Sequence, residues 1–204
     1  MANTVITIAR GYGSGGRTIG RLIAEKMNFS FYDRNLIYLA SDRSGVDLEY
    51  FLKHDEAPAR QSFFERLSNL SNKNVPPESG RFKSHMDIFK YQSDIIRELA
   101  KKSDCVIIGR CANHTLKESG CKLVRVFIWA PHSKCVETVM KKFSVTEAEA
   151  DKTIRDIDKH RSEYYKYYTG NDWEDIRNYD LCVNTAEYDN EGAANLICRV
   201  ASVF

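Results

Sequence analysis

The 204-residue chain is 43% hydrophobic and 28% charged, enough for one well-buried core with an appended flap. Its net charge of +2 argues against a bulk electrostatic nucleic-acid binder, while leaving room for a local basic cleft that takes a phosphorylated small molecule. No apolar run approaches a membrane span and no signal-type apolar core precedes the first strand, so the expectation is a soluble cytoplasmic protein with no membrane partner. Six cysteines, at 105, 111, 121, 135, 182 and 198, show no C-x-x-C and no histidine at metal-ligand spacing. Cys105, Cys182 and Cys198 fall within apolar runs and read as reduced core thiols, in keeping with a reducing cytoplasm.

Residues 5–9 form an apolar run that breaks into glycines at 11, 13, 15 and 16, then resumes as Ile19, Leu22, Ile23 and Met27 on one helical face. The pattern predicts strand, loop, helix. Glycines let successive N–H groups point inward at an anion, and the helix N-terminus adds its partial positive charge. Gly11 to Thr18 spells G-x-x-x-x-G-R-T, the Walker A pattern with Arg17 at the lysine position. Gly11, Gly13, Ser14, Gly15, Gly16, Arg17 and Thr18 are therefore the candidate ATP- and phosphate-binding residues, with the Thr18 hydroxyl suited to Mg²⁺. The same letters contain Gly11-x-Gly13-x-x-Gly16, a dinucleotide fingerprint, with Asp33 about where a ribose-binding acid would stand. The hydroxyl directly after a cation, and the lack of a second mononucleotide-binding half, favour the phosphate loop. A glycine-rich turn without a ligand is the bland alternative.

Next comes a short aromatic strand, Phe29-Ser30-Phe31-Tyr32, ending in Asp33 and Arg34. In open parallel sheets ligands sit beyond the carboxyl ends of the strands, so both charges would face the glycine loop; alternatively, Asp33 caps a helix beginning near Asn35. Residues 34–102 form a polar insertion, with helices predicted at 35–40, 48–54, 62–70 and 86–101 and a Ser-, Asn- and Pro-rich loop at 68–83. A segment of this length reads as a flap closing over an acceptor, with Arg43, Arg60, Arg66, Arg81, Lys83 and His85 as its cations. For any one of them a solvated surface charge is the default reading.

Cys105-Val106-Ile107-Ile108-Gly109-Arg110 is a fully apolar run suited to a sheet covered on both faces, and its end aims Arg110 at the crevice. A strand at 123–129 and a helix at 132–143 follow. Thr146 and Glu149 then form a capping-box pattern opening a helix that runs to Tyr168 before Gly170. Its alternating charges describe either an exposed salt-bridged helix or a lid bringing Arg155, Lys159 and Arg161 over phosphates. Helical geometry puts Arg155 and Lys159 on one face and turns Arg161 away. Tyr164, Tyr165, Tyr167 and Tyr168 read as packing residues. A strand at 180–183 and a helix at 191–203 close the chain.

The sum is an α/β fold of the three-layer P-loop NTP hydrolase type: a five-stranded parallel sheet with helices on both faces. The predicted core is 1–33, 103–145 and 178–204, with an acceptor-binding insertion at 34–102 and a lid at 146–177. On Gly11 to Thr18, Tyr32-Asp33, Gly109-Arg110 and Ile154-Arg155-Asp156-Ile157-Asp158-Lys159-His160-Arg161, the chain resembles the cytidylate kinase-like branch of the nucleoside monophosphate kinases. The resemblance implies ATP-dependent phosphoryl transfer to a small acceptor such as CMP or dCMP. By it, Arg17 and Thr18 would hold the ATP phosphates and Mg²⁺, Asp33 and Arg110 the acceptor, and Arg155 and Arg161 would close over the transferring group as catalytic cations. It implies small-molecule nucleotide partners, no stable nucleic-acid partner, and is compatible with a homo-oligomer. Arg17 replaces the usual lysine, and Ile108 stands where cytidylate kinases carry an aspartate. A nucleotide-binding regulator without catalysis and a dinucleotide-dependent oxidoreductase are the rival expectations.

Overall fold

The computed structural model describes residues 2–44 and 85–203. Element order is β1 (Thr4–Arg10), α1 (Gly16–Met27), β2 (Ser30–Tyr32), α2 (Asn35–Ser44), α3 (His85–Lys102), β3 (Cys105–Ile108), α4 (Ala112–Thr115), β4 (Lys122–Trp129), α5 (His132–Phe143), α6 (Glu147–Thr169), β5 (Leu181–Asn184) and α7 (Asn190–Val203). The helices predicted at 48–54 and 62–70, the loop at 68–83, and Arg60, Arg66, Arg81 and Lys83 lie outside the described residues.

The five strands form one sheet in the order β2-β3-β1-β4-β5, and every pairing is parallel. β1 is central, pairing Val5↔Cys105 through Ile8↔Ile108 on one side and Thr4↔Lys122 through Arg10↔Ile128 on the other. It takes that place because it is apolar on both faces. Ile6 and Ile8 pack with Ile19 and Ile23 of α1 and with Ala193, Ala194 and Ile197 of α7. Val5 faces the opposite layer, among Ile88, Ile95, Ile96 and Leu99 of α3. Each fully buried isoleucine contributes on the order of 1.5–3 kcal/mol.

The order also decides between the two readings of the glycine loop. In the dinucleotide-binding fold the second strand pairs directly with the first. Here β3 lies between them, so the sheet is not built on that plan. One thiol departs from expectation: Cys105, Cys111 and Cys135 are buried, but Cys182 is exposed. β5 is an edge strand with Val183 turned to the core, and the period of two then turns Cys182 outward. All six cysteines are free, and burial pushes the Cys105 thiol up to about 12.

The predicted capping box is present. Glu149 N–H donates to Thr146 Oγ1 at 3.4 Å, Thr146 N–H donates to Glu149 Oε2 at 2.9 Å, and Gly170 ends α6 in the left-handed conformation. α5 and α6 pack through Cys135, Val136, Val139, Ala150 and Ile154, with Tyr12 of the glycine loop against them. Farther along, Tyr168 of α6 stacks on Phe89 of α3 at 4.2 Å between ring centres. Tyr164 and Tyr165 enter a third cluster with Phe127, Trp173 and Tyr179, so the tyrosines serve packing, apart from the exposed Tyr167. α6 is thereby held against both the glycine loop and α3.

Candidate active site

Parallel pairing brings the carboxyl ends of all five strands to one edge, and the candidate residues gather there. Gly11 N–H extends the sheet by donating to Ile128 O at 3.0 Å, after which the chain leaves the sheet. Gly13 turns with φ +86°, and a side chain there would begin 2.8 Å from Cys135 O and 3.0 Å from its Cα. Both the backbone angle and the space require glycine. Gly15, also left-handed, leads into Gly16 at the first turn of α1. Ser14 is buried, its hydroxyl lying 2.9 Å from Gly11 O and 3.1 Å from Ile128 O. That side chain braces the loop from behind. Thr185, after β5, donates to Ser14 O at 2.9 Å and adds a second brace.

Arg17 and Thr18 are exposed at the start of α1. Arg17 Nε bonds Asp33 Oδ2 at 2.6 Å, with Arg17 58% exposed and Asp33 5%. The loop cation and the acid ending β2 are thus joined across the mouth of the loop. The Asp33 carboxylate serves that pair, while its backbone carbonyl accepts from Leu36 N–H at 3.1 Å where α2 begins. Arg110 is the second residue after β3, in a turn where Gly109, Arg110 and Cys111 all have positive φ, two of them non-glycine. Backbone strain of this kind, on the order of 1–3 kcal/mol per residue, is characteristic of functional edges. The Arg110 side chain is buried, and Nη1 donates to Ile108 O at 3.3 Å.

α6 supplies the remaining cation. Arg161 is buried and donates through Nη1 to Arg10 O at 2.9 Å and to Asp158 Oδ1 at 3.0 Å, with its guanidinium 5.7 Å from the centre of the Tyr12 ring. Asp158 in turn accepts from Tyr12 N–H at 2.9 and 3.0 Å. Burial raises the Asp158 pKa, against the opposing pull of Arg161, the Tyr12 amide and Arg10. Arg155 points elsewhere: it is 69% exposed and bonds Asp151, which also takes His132 at 2.6 Å. Hydrogen bonds from Arg155 and then His132 hold the Asp151 carboxyl below its ordinary value. The loop, Arg17, Asp33 and Arg161 therefore come together, whereas Arg155 lies on the outer face. Asp158 is a functional residue beyond the predicted set, and the sequence signal for it is its spacing of three from Arg161, which marks an ion pair. Thr7 Oγ1 is buried without a hydrogen-bond partner, beside a cavity of about 10 Å³ that it lines with Ala9, Asn113, Tyr164 and Trp173. That is room for about one water and far too little for a nucleotide.

A five-stranded parallel sheet in this order, with a glycine loop after its central strand, is the P-loop kinase class of fold. Solved structures agree: an uncharacterized protein from Eubacterium ventriosum superposes with a TM-score of 0.74 at 23% identity, covering 99% of this chain and 100% of that one. A shikimate kinase from Acinetobacter baumannii, in complex with shikimate, gives 0.52 at 14% identity over 98% and 94%. The cytidylate kinase-like family model matches residues 5–187. This chain belongs to that family and is a phosphotransferase. Cytidylate kinases of Methanocaldococcus jannaschii and Pyrococcus horikoshii are 26% and 27% identical to it, each over 95% of this chain and over 94% and 85% of their own lengths.

Proposed function

We propose that the chain transfers the terminal phosphoryl group of ATP to a small anionic acceptor, a nucleoside monophosphate such as CMP or dCMP foremost, as a cytoplasmic enzyme. The observation that carries this reading is the convergence of the glycine loop, the Arg17–Asp33 pair and the lid residue Arg161 at one sheet edge. The names of the archaeal relatives support the acceptor class. On this reading residues 34–102 receive the acceptor, 146–177 form the lid and the rest is core.

The loop amides and the N-terminus of α1 would bind the donor phosphates, with Arg17 passing from Asp33 to a phosphate oxygen. Asp33 and Arg110, at the ends of β2 and β3, would orient the acceptor. Arg161 would neutralise charge on the transferring group, while Arg155, exposed and bonded to Asp151, would stay outside the reacting set. Thr18 offers a hydroxyl oxygen in the first turn of α1, which fits the all-oxygen donor set of Mg²⁺ alongside phosphate. When bound, that ion spreads the charge on the phosphates. An acceptor that is already an anion needs no general base, so positioning and charge neutralisation lower the barrier.

The test is ADP release from Mg·ATP across CMP, dCMP, UMP, AMP, GMP and shikimate, with Arg17→Ala alongside. Acceptor-dependent turnover that the substitution abolishes is expected. ATP binding by calorimetry without turnover on any acceptor would overturn the reading in favour of a nucleotide-binding regulator.

A further inference from the structure

Asp158 is the one carboxylate from α6 that the structure places against the glycine loop. The Tyr12 amide, the first after Gly11, donates to both of its oxygens, at 2.9 and 3.0 Å. Its Oδ2 lies 3.7 Å from where a side chain on Gly11 would begin. On the far side Arg161 grips Oδ1 at 3.0 Å and ties the pair to Arg10 O at the end of β1. The carboxylate is thus enclosed by a loop amide and a guanidinium, the two kinds of donor that a phosphate loop offers its ligand. A loop built to receive an anion already holds one.

We propose that Asp158 is an internal competitor for the donor: the anionic end of the nucleotide takes its place at Tyr12 N–H and Arg161, so Asp158 sets donor affinity. The proposal rests on the phosphotransferase reading and adds to it a residue that controls affinity. One amide hydrogen cannot serve two anions. A carboxylate left within about 4 Å of a phosphate oxygen would repel it. Displacement resolves both conflicts and frees the Arg161 guanidinium to move from carboxylate to phosphate. It also releases the hold of α6 on the loop, coupling donor arrival to lid movement.

The experiment is calorimetric titration of the full chain with inorganic tripolyphosphate in the absence of Mg²⁺. Asp158→Asn keeps the size and an oxygen acceptor for Tyr12 while removing the charge, and should bind about tenfold more tightly than the native chain. Asp158→Glu keeps the charge and should not tighten. Equal or weaker binding by Asp158→Asn overturns the competitor role while leaving the loop reading in place. Absence of binding by every protein overturns both. A second measurement needs no substitution: the Tyr12 amide signal in a ¹⁵N–¹H spectrum of the native chain should shift on tripolyphosphate addition as its acceptor changes. An unmoved signal at saturation would overturn the proposal.

Discussion

Gly13→Ala tests the geometry of the loop against a built-in control. At Gly120, φ is +74° and a new Cβ meets nothing within 4 Å, so alanine there carries only the conformational cost. That cost is about 1–2 kcal/mol, reduced by about 0.4–1 kcal/mol because alanine also restricts the unfolded chain. Gly13 has nearly the same backbone angle, +86°, but its new Cβ would sit 2.8 Å from Cys135 O and 3.0 Å from Cys135 Cα. These are backbone atoms in the first turn of α5, which cannot rotate aside as a side-chain tip could. Relief requires moving the loop or the helix by several tenths of an ångström, an overpacking cost of about 1–3 kcal/mol more. Urea unfolding should therefore show Gly13→Ala losing about 1–4.5 kcal/mol and Gly120→Ala about 1.5 kcal/mol or less, the difference between them being the overpacking cost. ATP affinity, measured on the folded proteins, should fall for Gly13→Ala and stay native for Gly120→Ala. Equal stability losses would refute the close approach to Cys135. Native ATP affinity in Gly13→Ala would refute the assignment of this loop as the phosphate cradle.

Two further outcomes follow from charge placement. Arg161→Ala should lower kcat by about 10²–10³-fold, the scale of a charge-stabilising donor, whereas Arg155→Ala should change it by less than about threefold; a fall of similar size for Arg155→Ala would show that α6 rolls its outer face inward during turnover. Asp180 is bonded by the Arg125 guanidinium at 2.5 and 3.0 Å and by its backbone N–H at 2.8 Å. Burial alone would raise the Asp180 pKa, but these bonds outweigh it and lower it. A carboxyl depressed by folding stabilises above its unfolded pKa of about 3.9 and loses that contribution as pH falls through the lower folded value. Native stability should thus drop below about pH 4 by more than that of Asp180→Asn, with a difference of about 1 kcal/mol for this partly exposed pair; parallel pH curves would refute the linkage.

The parallel sheet was legible because residues 105–108 are apolar on both faces, a pattern that only a doubly covered strand satisfies. Strand order was not legible: the same glycines suit both nucleotide folds, and what separates them is a pairing between residues about a hundred positions apart, Val5 with Cys105. Local signals carry no record of such a contact. Ser14 stands among the candidate phosphate-binding residues of the loop, and only the position of Ile128 O behind it shows that its hydroxyl faces the sheet.

The lid was half legible, and the half that was missed concerns which face docks. Alternating charges from Asp151 to Arg161 suggest a helix solvated all round, yet Ala150, Ile154, Arg161 and Tyr165 are all buried. Spaced by four, seven and four, they form one stripe with the period of a packed helix face, and Arg161 is the single charge on it. A guanidinium placed on an apolar stripe must find acceptors where the stripe lands. Here it lands on the end of β1, and the acceptors are Arg10 O and Asp158. Asp158, three residues earlier on the helix, therefore reaches the glycine loop for the same reason that Arg161 does, while the exposed Arg155 turns back one turn to Asp151. What looks like one surface salt-bridge ladder is two separate pairs, one exposed and one docked on the loop, and the docked one is the contact that a phosphate would have to break.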